Sequence, residues 1–355
     1  MGKRICLVSI SKHFTFQETV LNLKKYIDLN EKDDIVSVIT SSAKSYELEH
    51  EDELVFRTDY KYTSLNPFHH LKSIKGIVKY IKNFKPTHLI FINVHPLNLY
   101  LSKKFKKKMS VYNIIHDVIP HKGDKNYRMV EMYNKAICKR TNYIILHNQK
   151  DLNLFSKINK FPIDKIKTTE LWREYEPFVP YKESNQILFF GRVNPYKGIH
   201  YIKQMAERLL DFEFLIVGRW DQTMLPEKES FIQVPNIKVI DEVIPFEKMS
   251  AYFYNSALVI IPYATATQSG VIIDAYKYSR PVVAFNVGAL GEQVENKKTG
   301  YLIEEGRIDL MIEAMTSYLN LSLEDKMKLA KDAWDYGYQK YSTQVGYKRL
   351  LDLLD

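Results

Sequence analysis

Short apolar runs alternate with amphipathic segments along most of the chain, and this alternation constrains the fold more than any other feature of the sequence. The first half contains RICLVSI, QETVLNLKKYIDL, DIVSVIT, LKSIKGIVKYIKNF and THLIFINV, followed by VYNIIHDV, RMVEMYNKAICKR and YIILH. Strand-like runs separated by helix-like segments are typical of βαβ units in a parallel sheet. The sequence therefore predicts an α/β protein with doubly wound parallel sheets.

The alternation is interrupted once and then begins again. The polar stretch KTTELWREYEPFVPYKESN is followed by new apolar runs, QILFFGRV, EFLIVGRW, IKVIDEVI, ALVIIPY, PVVAFNVG and GYLIEEG. A chain of 355 residues also exceeds the size at which one hydrophobic core usually stops growing. We predict two Rossmann-like domains that face each other across a cleft, over residues 1–180 and 181–335, with a C-terminal helix at 336–355 returning to the first domain.

The composition favours a cytoplasmic protein. Cys6 and Cys138 match no metal or redox spacing, and the N-terminus passes directly into a strand-like run instead of a signal-peptide pattern. No apolar run approaches the roughly 20 residues that span a bilayer. The many aromatic residues occur without an RNA-recognition signature, so nucleic acid is not an expected partner.

One region of the sequence is strongly cationic. Between Asp59 and Asp117 there is no acidic residue, whereas the same interval contains Lys61, Lys72, Lys75, Lys79, Lys82, Lys85, Lys103, Lys104, Lys106, Lys107 and Lys108. Such a face attracts an anionic partner, and charge alone does not choose among a membrane surface, a nucleic acid and an acidic glycan. We predict peripheral contact with the anionic inner face of the cell membrane, and the alternative is a solvated basic surface.

Two cations follow the first apolar run of the second half. In FGRVNPYKGI, Gly191 ends the strand-like run, and Arg192 and Lys197 precede an amphipathic helix. In a parallel sheet this junction lies at the carboxyl edge, where ligands bind and where helix N-termini favour anions. Arginine can contact two phosphate oxygens at once, and lysine adds a point charge. We predict a phosphate site here, although lone loop cations are usually solvated.

A second segment has the pattern of a phosphate cradle. In YATATQSGVIIDAYKYS, a strand-like run is followed by the start of a helix, near which backbone N–H groups lack helical partners. These groups belong to Gln268, Ser269, Gly270 and Val271. Asp274 lies about one helical turn further along and can accept hydrogen bonds from ribose hydroxyls. The alternative for Asp274 is a solvated helix residue.

Together, FGRVNPYKGI, FLIVGRW and PYATATQSGVIIDAYKYSRPVVAFNVGALGEQVENKKTGYLI resemble the donor-binding domain of retaining nucleotide-sugar glycosyltransferases of the GT-B fold, glycosyltransferase family 4 (group 1), over about residues 185–305. In that family the GR-x4-KG element holds the donor diphosphate, and it falls on Arg192 and Lys197. The family's E-x7-E element carries two carboxylates, of which the second binds ribose. By this register the second falls on Asp274 and the first on Ala266, which leaves selection of the donor sugar open.

The resemblance also implies a site in the N-terminal half. VYNIIHDVIP places His116 and Asp117 directly after a strand-like run, and the family carries a comparable HD pair that faces the donor sugar. This implies a catalytic role for His116 beside Arg192 and Lys197, and the alternative is a structural histidine. His13, in the first loop, is a weaker candidate for acceptor contact. Glu292 matches a recurrent family acid, with capping or ion pairing as the alternative.

The function implied is that of a hexosyltransferase-type glycosyltransferase in polysaccharide biosynthesis. It would move a sugar, with retention, from a nucleoside diphosphate donor of the UDP or GDP type to a hydroxyl of a glycan or lipid-linked saccharide. No aspartate-rich metal element is visible, so we expect cationic side chains and a helix N-terminus to stabilise the leaving diphosphate without a metal. The alternatives are a nucleotide-sugar epimerase, a phosphorylase and a catalytically silent binding subunit. A dinucleotide oxidoreductase is disfavoured, because no G-x-G-x-x-G follows RICLVSI.

Overall fold

The computed structural model describes residues 2–11, 14–41, 52–60, 67–119 and 127–354. His13 and Lys61 lie outside these ranges. The chain forms two compact units: unit 1 comprises Met1–Val118, Arg128–Glu174 and Thr343–Asp355, and unit 2 comprises Ile119–Tyr127 and Tyr175–Ser342. No helix within the described ranges is both long enough and apolar enough to cross a bilayer.

Unit 1 contains, across its described residues, a seven-stranded parallel sheet in the order β3-β2-β1-β4-β5-β6-β7. The strands are β1 (Arg4–Ser9), β2 (Ile35–Ser41), β3 (Val55–Thr58), β4 (His88–Phe91), β5 (Ser110–Ile115), β6 (Tyr143–Leu146) and β7 (Ile166–Thr168). The helices between them are α1 (Phe14–Asn30), α2 (Pro67–Phe84), α3 (Pro96–Phe105), α4 (Tyr127–Cys138) and α5 (Leu152–Asn159).

Unit 2 contains, in the described ranges, a six-stranded parallel sheet in the order β10-β9-β8-β11-β12-β13. The strands are β8 (Gln186–Phe190), β9 (Glu213–Val217), β10 (Ile237–Ile240), β11 (Leu258–Ile261), β12 (Val282–Phe285) and β13 (Gly300–Ile303). The helices are α6 (Ile199–Ala206), α7 (Leu225–Ile232), α8 (Phe246–Tyr254), α9 (Gly270–Lys277), α10 (Ile308–Leu319) and α11 (Leu323–Tyr341). The predicted pair of doubly wound parallel sheets is confirmed.

The apolar character of the runs agrees with the burial of the strands. All four residues of β4, β11 and β12 are buried, as expected for parallel strands that are covered by helices on both faces. In each sheet the order reverses once, between β1 and β4 in unit 1 and between β8 and β11 in unit 2. Ligands of open α/β sheets bind outside the carboxyl ends of the strands at such a reversal.

The last helix of the chain belongs to unit 1. This helix, α12 (Thr343–Asp352), packs against α1, and Arg349 forms an ion pair of 2.8 Å with Glu170. Gly346 lies directly against the Trp172 indole, where an added Cβ would stand 1.5 Å from Trp172 Cδ1. The helix therefore requires glycine at this crossing.

Candidate functional site

The loop after β8 brings a lysine to the point where the sheet order of unit 2 reverses. Residues Pro195–Lys197 form a single 3-10 turn, and Gly198 then adopts a left-handed φ of 65° before α6 begins. A Cβ on Gly198 would lie 1.8 Å from the carbonyl oxygen of Pro262, which follows β11. The two loops therefore meet backbone to backbone, and Lys197 lies beside the segment that leaves β11.

Lys197 is a buried cation with a neutral partner. Its side chain is only 8% exposed, its Nζ donates a 3.0 Å hydrogen bond to Tyr263 Oη, and Nζ lies 4.8 Å from the centre of the Tyr263 ring. Among the described residues, no carboxylate forms an ion pair with it. Burial lowers the pKa of Lys197 to about 8, and the positive charge of Arg192 acts in the same direction. An anion beside this ammonium group would supply the charge compensation that the described residues do not.

The beginning of α9 lies against the same space. A Cβ built on Gly191 would stand 3.1 Å from Lys197 Nζ and 3.6 Å from Val271 Cγ2, so these three residues surround a volume that any larger side chain would partly fill. Ser269 is the N-cap of α9 but makes no side-chain capping bond. The backbone N–H groups of the first helical turn have no partner within the helix, and they add a partial positive charge beside Lys197.

A glutamine holds the start of α9 in place. Gln293 Oε1 accepts a 2.7 Å hydrogen bond from the Ser269 N–H, and Gln293 Nε2 donates a 3.1 Å bond to the Ser269 carbonyl. This two-point contact orients the backbone that precedes Gly270 and Val271. Gln293 was not among the residues that the sequence suggested.

Tyr263 connects the predicted residues of unit 2. Burial raises the pKa of Tyr263, the neighbouring Ser269 side chain lowers it, and the negative charge of Asp274 raises it. The Tyr263 hydroxyl therefore lies close to both residues, and it also accepts the hydrogen bond from Lys197. The structure thus brings Lys197, Ser269 and Asp274 together around one buried phenol. Sequence reasoning missed Tyr263, although it lies two residues after β11, within the quoted segment PYATATQSG.

The remaining predicted positions lie around this cluster. Arg192 is exposed and is coupled to Lys197 by charge. Ala266, where the resemblance places the first carboxylate, is 7% exposed, and its carbonyl accepts a 3.3 Å bond from the Ala289 N–H. The methyl group of Ala266 therefore occupies the position at which the family pattern expects an acid. The backbone carbonyl of Glu292 accepts a hydrogen bond from Lys340.

His116 lies in unit 1, at the carboxyl end of β5. Its Nε2–H donates a 2.8 Å hydrogen bond to the Ile92 carbonyl, and its ring centre lies 4.8 Å from that of His147, which follows the neighbouring strand β6. Burial lowers the pKa of His116. Burial also lowers the pKa of His147 to about 3, and the neighbouring His116 contributes to that shift. Burial therefore favours the neutral form of both rings.

A small cavity adjoins the two imidazoles. It encloses about 30 Å³ and is lined by Phe16, Thr19, Ile92, Ile114, His116, His147, Leu171, Trp172 and Arg173. His147 Nδ1–H donates to the Thr169 carbonyl at 3.0 Å, which leaves Nε2 as an acceptor that is buried without a partner in the described part of the chain. A space of this size holds about one water molecule, which could donate to His147. His147 was not among the predicted site residues, although its position at the end of the strand-like run YIILH, like that of His116 after its own strand, could have indicated it.

The fold of this chain is the GT-B fold of nucleotide-sugar glycosyltransferases, with two doubly wound parallel sheets. Residues 184–320, which include the Lys197 cluster, match the model of the family described as Glycosyl transferases group 1. Within the described ranges, no group of three or more His, Cys, Asp or Glu side chains is placed to hold a metal ion.

Three comparisons illustrate the similarity to known proteins. An uncharacterized glycosyltransferase of Haemophilus influenzae is 27% identical over 172 residues, which cover 44% of this chain and 47% of the relative. Sucrose-phosphate synthase from Thermosynechococcus elongatus superimposes with a TM-score of 0.75 at 14% identity over 99% of this chain and 98% of that one. Anabaena HepE in complex with UDP and glucose gives a TM-score of 0.69 at 14% identity over 99% of both chains. The chain spans about half or less of the length of the first curated relatives that it matches. The two solved structures show a similarity of fold.

Proposed function

We propose that this protein is a glycosyltransferase that moves a sugar from a nucleoside diphosphate donor to a hydroxyl of a glycan or lipid-linked saccharide. The observation that carries the proposal is the buried ammonium of Lys197, which has no carboxylate partner among the described residues and lies against the start of α9. The match of residues 184–320 to a glycosyltransferase family model supports it independently. Hexosyl transfer in polysaccharide biosynthesis is the form of the reaction that we favour.

The residues of unit 2 would bind the donor and stabilise its leaving group. Lys197 and the exposed Arg192 would contact the diphosphate, together with the N–H groups of Gly270 and Val271. Negative charge develops on the diphosphate as the bond to the sugar breaks, and fixed cations and helix dipoles lower the energy of that state. Asp274 would accept hydrogen bonds from the ribose. Tyr263 orients the Lys197 ammonium through the 3.0 Å bond between them.

Several finer points belong to the same proposal. The donor is of the UDP or GDP type, and UDP is tested first because solved structures with this fold contain UDP or UDP-glucose. Transfer proceeds with retention of the anomeric configuration and without a metal. Gly191 and Gln268 line the nucleotide, and the protein acts in the cytoplasm as a peripheral partner of the membrane. An epimerase and a silent binding subunit are the alternatives, and the second is suggested by Ala266, which stands where the family pattern has a carboxylate.

Binding of UDP and GDP to the wild-type protein and to Arg192→Ala tests the donor site. The substitution removes a charge-assisted hydrogen bond, which is typically worth about 1.5 to 3 kcal/mol, so we expect affinity for the matching nucleotide to fall by about tenfold or more. Calorimetric titration measures this directly. Arg208→Ala, on an exposed position after α6, is the matched control and should bind normally. Equal affinity in the Arg192 variant and the wild type would contradict the assignment.

Turnover of the sugar nucleotide separates the candidate activities. A transferase consumes donor mainly when acceptor is present, whereas an epimerase converts donor alone, and a silent subunit binds without turnover. Reactions are run with UDP-glucose and with GDP-mannose as donors, with and without a cell-derived glycan fraction. Excess EDTA is expected to leave the rate unchanged. Loss of the rate in EDTA with recovery on adding Mg²⁺ would show that the metal-free part of the proposal is wrong.

His116→Ala is expected to slow transfer and to leave nucleotide binding nearly unchanged. The residue belongs to unit 1, whereas the proposed diphosphate contacts belong to unit 2. We expect kcat to fall by at least about tenfold, in the range found when a polar group that acts on the reacting centre is removed, and the Kd for UDP to stay within about twofold. Steady-state kinetics and calorimetry on the same preparation measure both. A large loss of UDP affinity would place His116 elsewhere in the mechanism.

A further inference from the structure

A cationic groove runs between α2 and α3 on unit 1. It has a volume of about 330 Å³ and is lined by Ile74, Lys75, Val78, Lys79, Lys82, Asn83, Tyr100 and Lys104. Lys75, Lys79 and Lys82 follow one another at helical spacing on one face of α2, and Tyr100 and Lys104 lie one turn apart on α3. We call these four lysines and Tyr100 the lysine groove.

Within the part of the chain that the structure describes, the ammonium groups of the lysine groove have no anionic partner. Neither α2 nor α3 contains an acidic residue, and none of the four lysines forms an ion pair or hydrogen bond with another described residue. Lys106, by contrast, donates a 2.9 Å bond to the carbonyl of Lys139, so the lysines of the KKFKKK segment do not all have the same environment. Like charges at helical spacing repel each other, and an external anion would relieve that repulsion.

Apolar groups accompany the charges. Leu71, one turn before Lys75, is 54% exposed, and Tyr100 is 47% exposed. The Lys104 ammonium lies 5.5 Å from the centre of the Tyr100 ring. Ile74 and Val78 line the groove and also pack against the core of unit 1, in which Ile77 and Ile81 on the same stripe of α2 are fully buried. Lysine stems, an exposed leucine and a tyrosine suit the boundary between headgroups and acyl chains better than they suit a purely aqueous polyanion.

We propose that the lysine groove docks unit 1 on anionic phospholipid membranes, with headgroup phosphates between the ammonium groups of α2 and α3. Contact with the bilayer is electrostatic and reversible, and the exposed Leu71 and Tyr100 reach the interface. Docking itself is independent of donor binding by unit 2. The role of docking, which is to bring the enzyme to a lipid-linked acceptor, rests on the proposed function.

Vesicle sedimentation tests the docking surface. The wild type is expected to pellet with vesicles of phosphatidylglycerol and phosphatidylcholine and to stay in solution with phosphatidylcholine alone. Each basic residue near an anionic surface changes affinity by about fivefold, so the quadruple variant Lys75→Gln, Lys79→Gln, Lys82→Gln, Lys104→Gln should bind at least about tenfold more weakly. Binding of the wild type should also fall between 0.1 M and 1 M salt, as the Debye length shortens from about 10 Å to about 3 Å.

A control variant with the same net charge separates a built surface from overall basicity. Lys157→Gln, Lys165→Gln, Lys248→Gln and Lys328→Gln remove four exposed lysines elsewhere, and this variant should sediment like the wild type. Equal loss in both variants, or wild-type binding to phosphatidylcholine alone, would overturn the proposal. So would wild-type binding to polyphosphate or duplex DNA at salt concentrations that release it from vesicles.

Measurements on the same preparations keep the two proposals apart. The groove variant should unfold at the wild-type temperature and bind UDP with wild-type affinity, because its substitutions are confined to exposed positions of unit 1. Leu71→Ala, which leaves every charge in place, should weaken vesicle binding by a smaller factor. If the wild type fails to bind UDP or GDP but still sediments with anionic vesicles, the docking surface stands and the proposed function falls. If the wild type binds nucleotide but not vesicles, the proposed function stands and the docking surface falls.

Discussion

Replacing Lys197 with methionine is expected to stabilise the unliganded protein and, at the same time, to remove most of its affinity for UDP. Burial lowers the pKa of Lys197 from 10.5 to about 8, which corresponds to a penalty on the order of 3 kcal/mol for the charged form at neutral pH. Methionine has a similar length and no charge. We expect the free energy of unfolding to rise by on the order of 1 kcal/mol, since apolar replacements of buried charges are often stabilising.

The loss of UDP affinity in Lys197→Met has a separate cause. The diphosphate would lose the buried ammonium that compensates its charge, and a lost hydrogen bond to a charged group is worth about 1.5 to 3 kcal/mol. In a buried site we expect the upper end, which is an affinity loss of about a hundredfold. Urea unfolding and calorimetric titration measure the two effects. A variant that is less stable than the wild type would show that Lys197 has a structural role instead.

The same lysine predicts how UDP affinity depends on pH. The protonated form binds the diphosphate, and the bound anion raises the pKa of Lys197 above its free value of about 8. Affinity should therefore be constant well below pH 8 and should fall by up to about tenfold per pH unit above it, with net proton uptake on binding. Titration in buffers of different ionisation enthalpy measures that uptake. In Lys197→Met both the pH dependence above 8 and the proton uptake should disappear.

Gly198→Ala is the substitution from which we expect the largest loss of stability. An alanine Cβ would stand 1.8 Å from the Pro262 carbonyl oxygen at a φ of 65°, so the loops after β8 and β11 would have to separate, and the Lys197–Tyr263 bond would be disturbed. A left-handed alanine alone costs about 1 to 2 kcal/mol, and the clash with backbone atoms raises the expected loss to about 4 kcal/mol or more.

A second glycine provides the control for Gly198. Gly306 has a comparable φ of 77° but no atom within 4 Å of an added Cβ. Gly306→Ala should therefore show the backbone strain alone, about 1 kcal/mol, with normal UDP binding. Urea unfolding of both variants gives the difference. Equal destabilisation would mean that the contact between Gly198 and Pro262 does not constrain the loops.

The fold could be predicted from the sequence because local sequence patterns indicate its strands and helices. Apolar runs bounded by glycine and polar residues, alternating with helical periodicity, are sufficient to predict parallel βαβ units and their restart near residue 185. The glycine after QILFF also indicates that Arg192 and Lys197 lie at the carboxyl edge of the sheet, where a ligand site is expected.

What the sequence could not determine depends on which strands are neighbours. β8 pairs with β11 across a long sequence separation, and this pairing brings Lys197 beside Tyr263, where burial lowers its pKa. The pairing of β5 with β6 likewise places His147 beside His116. The packing of α2 beside α3 brings Lys104 to the lysines of α2, whereas Lys106 bonds to the carbonyl of Lys139. Residue types and local periodicity indicate which face of a helix or strand is apolar. The partner that each polar group meets, and hence its protonation state, is decided by long-range packing, because burial and electrostatic contact depend on distance in space.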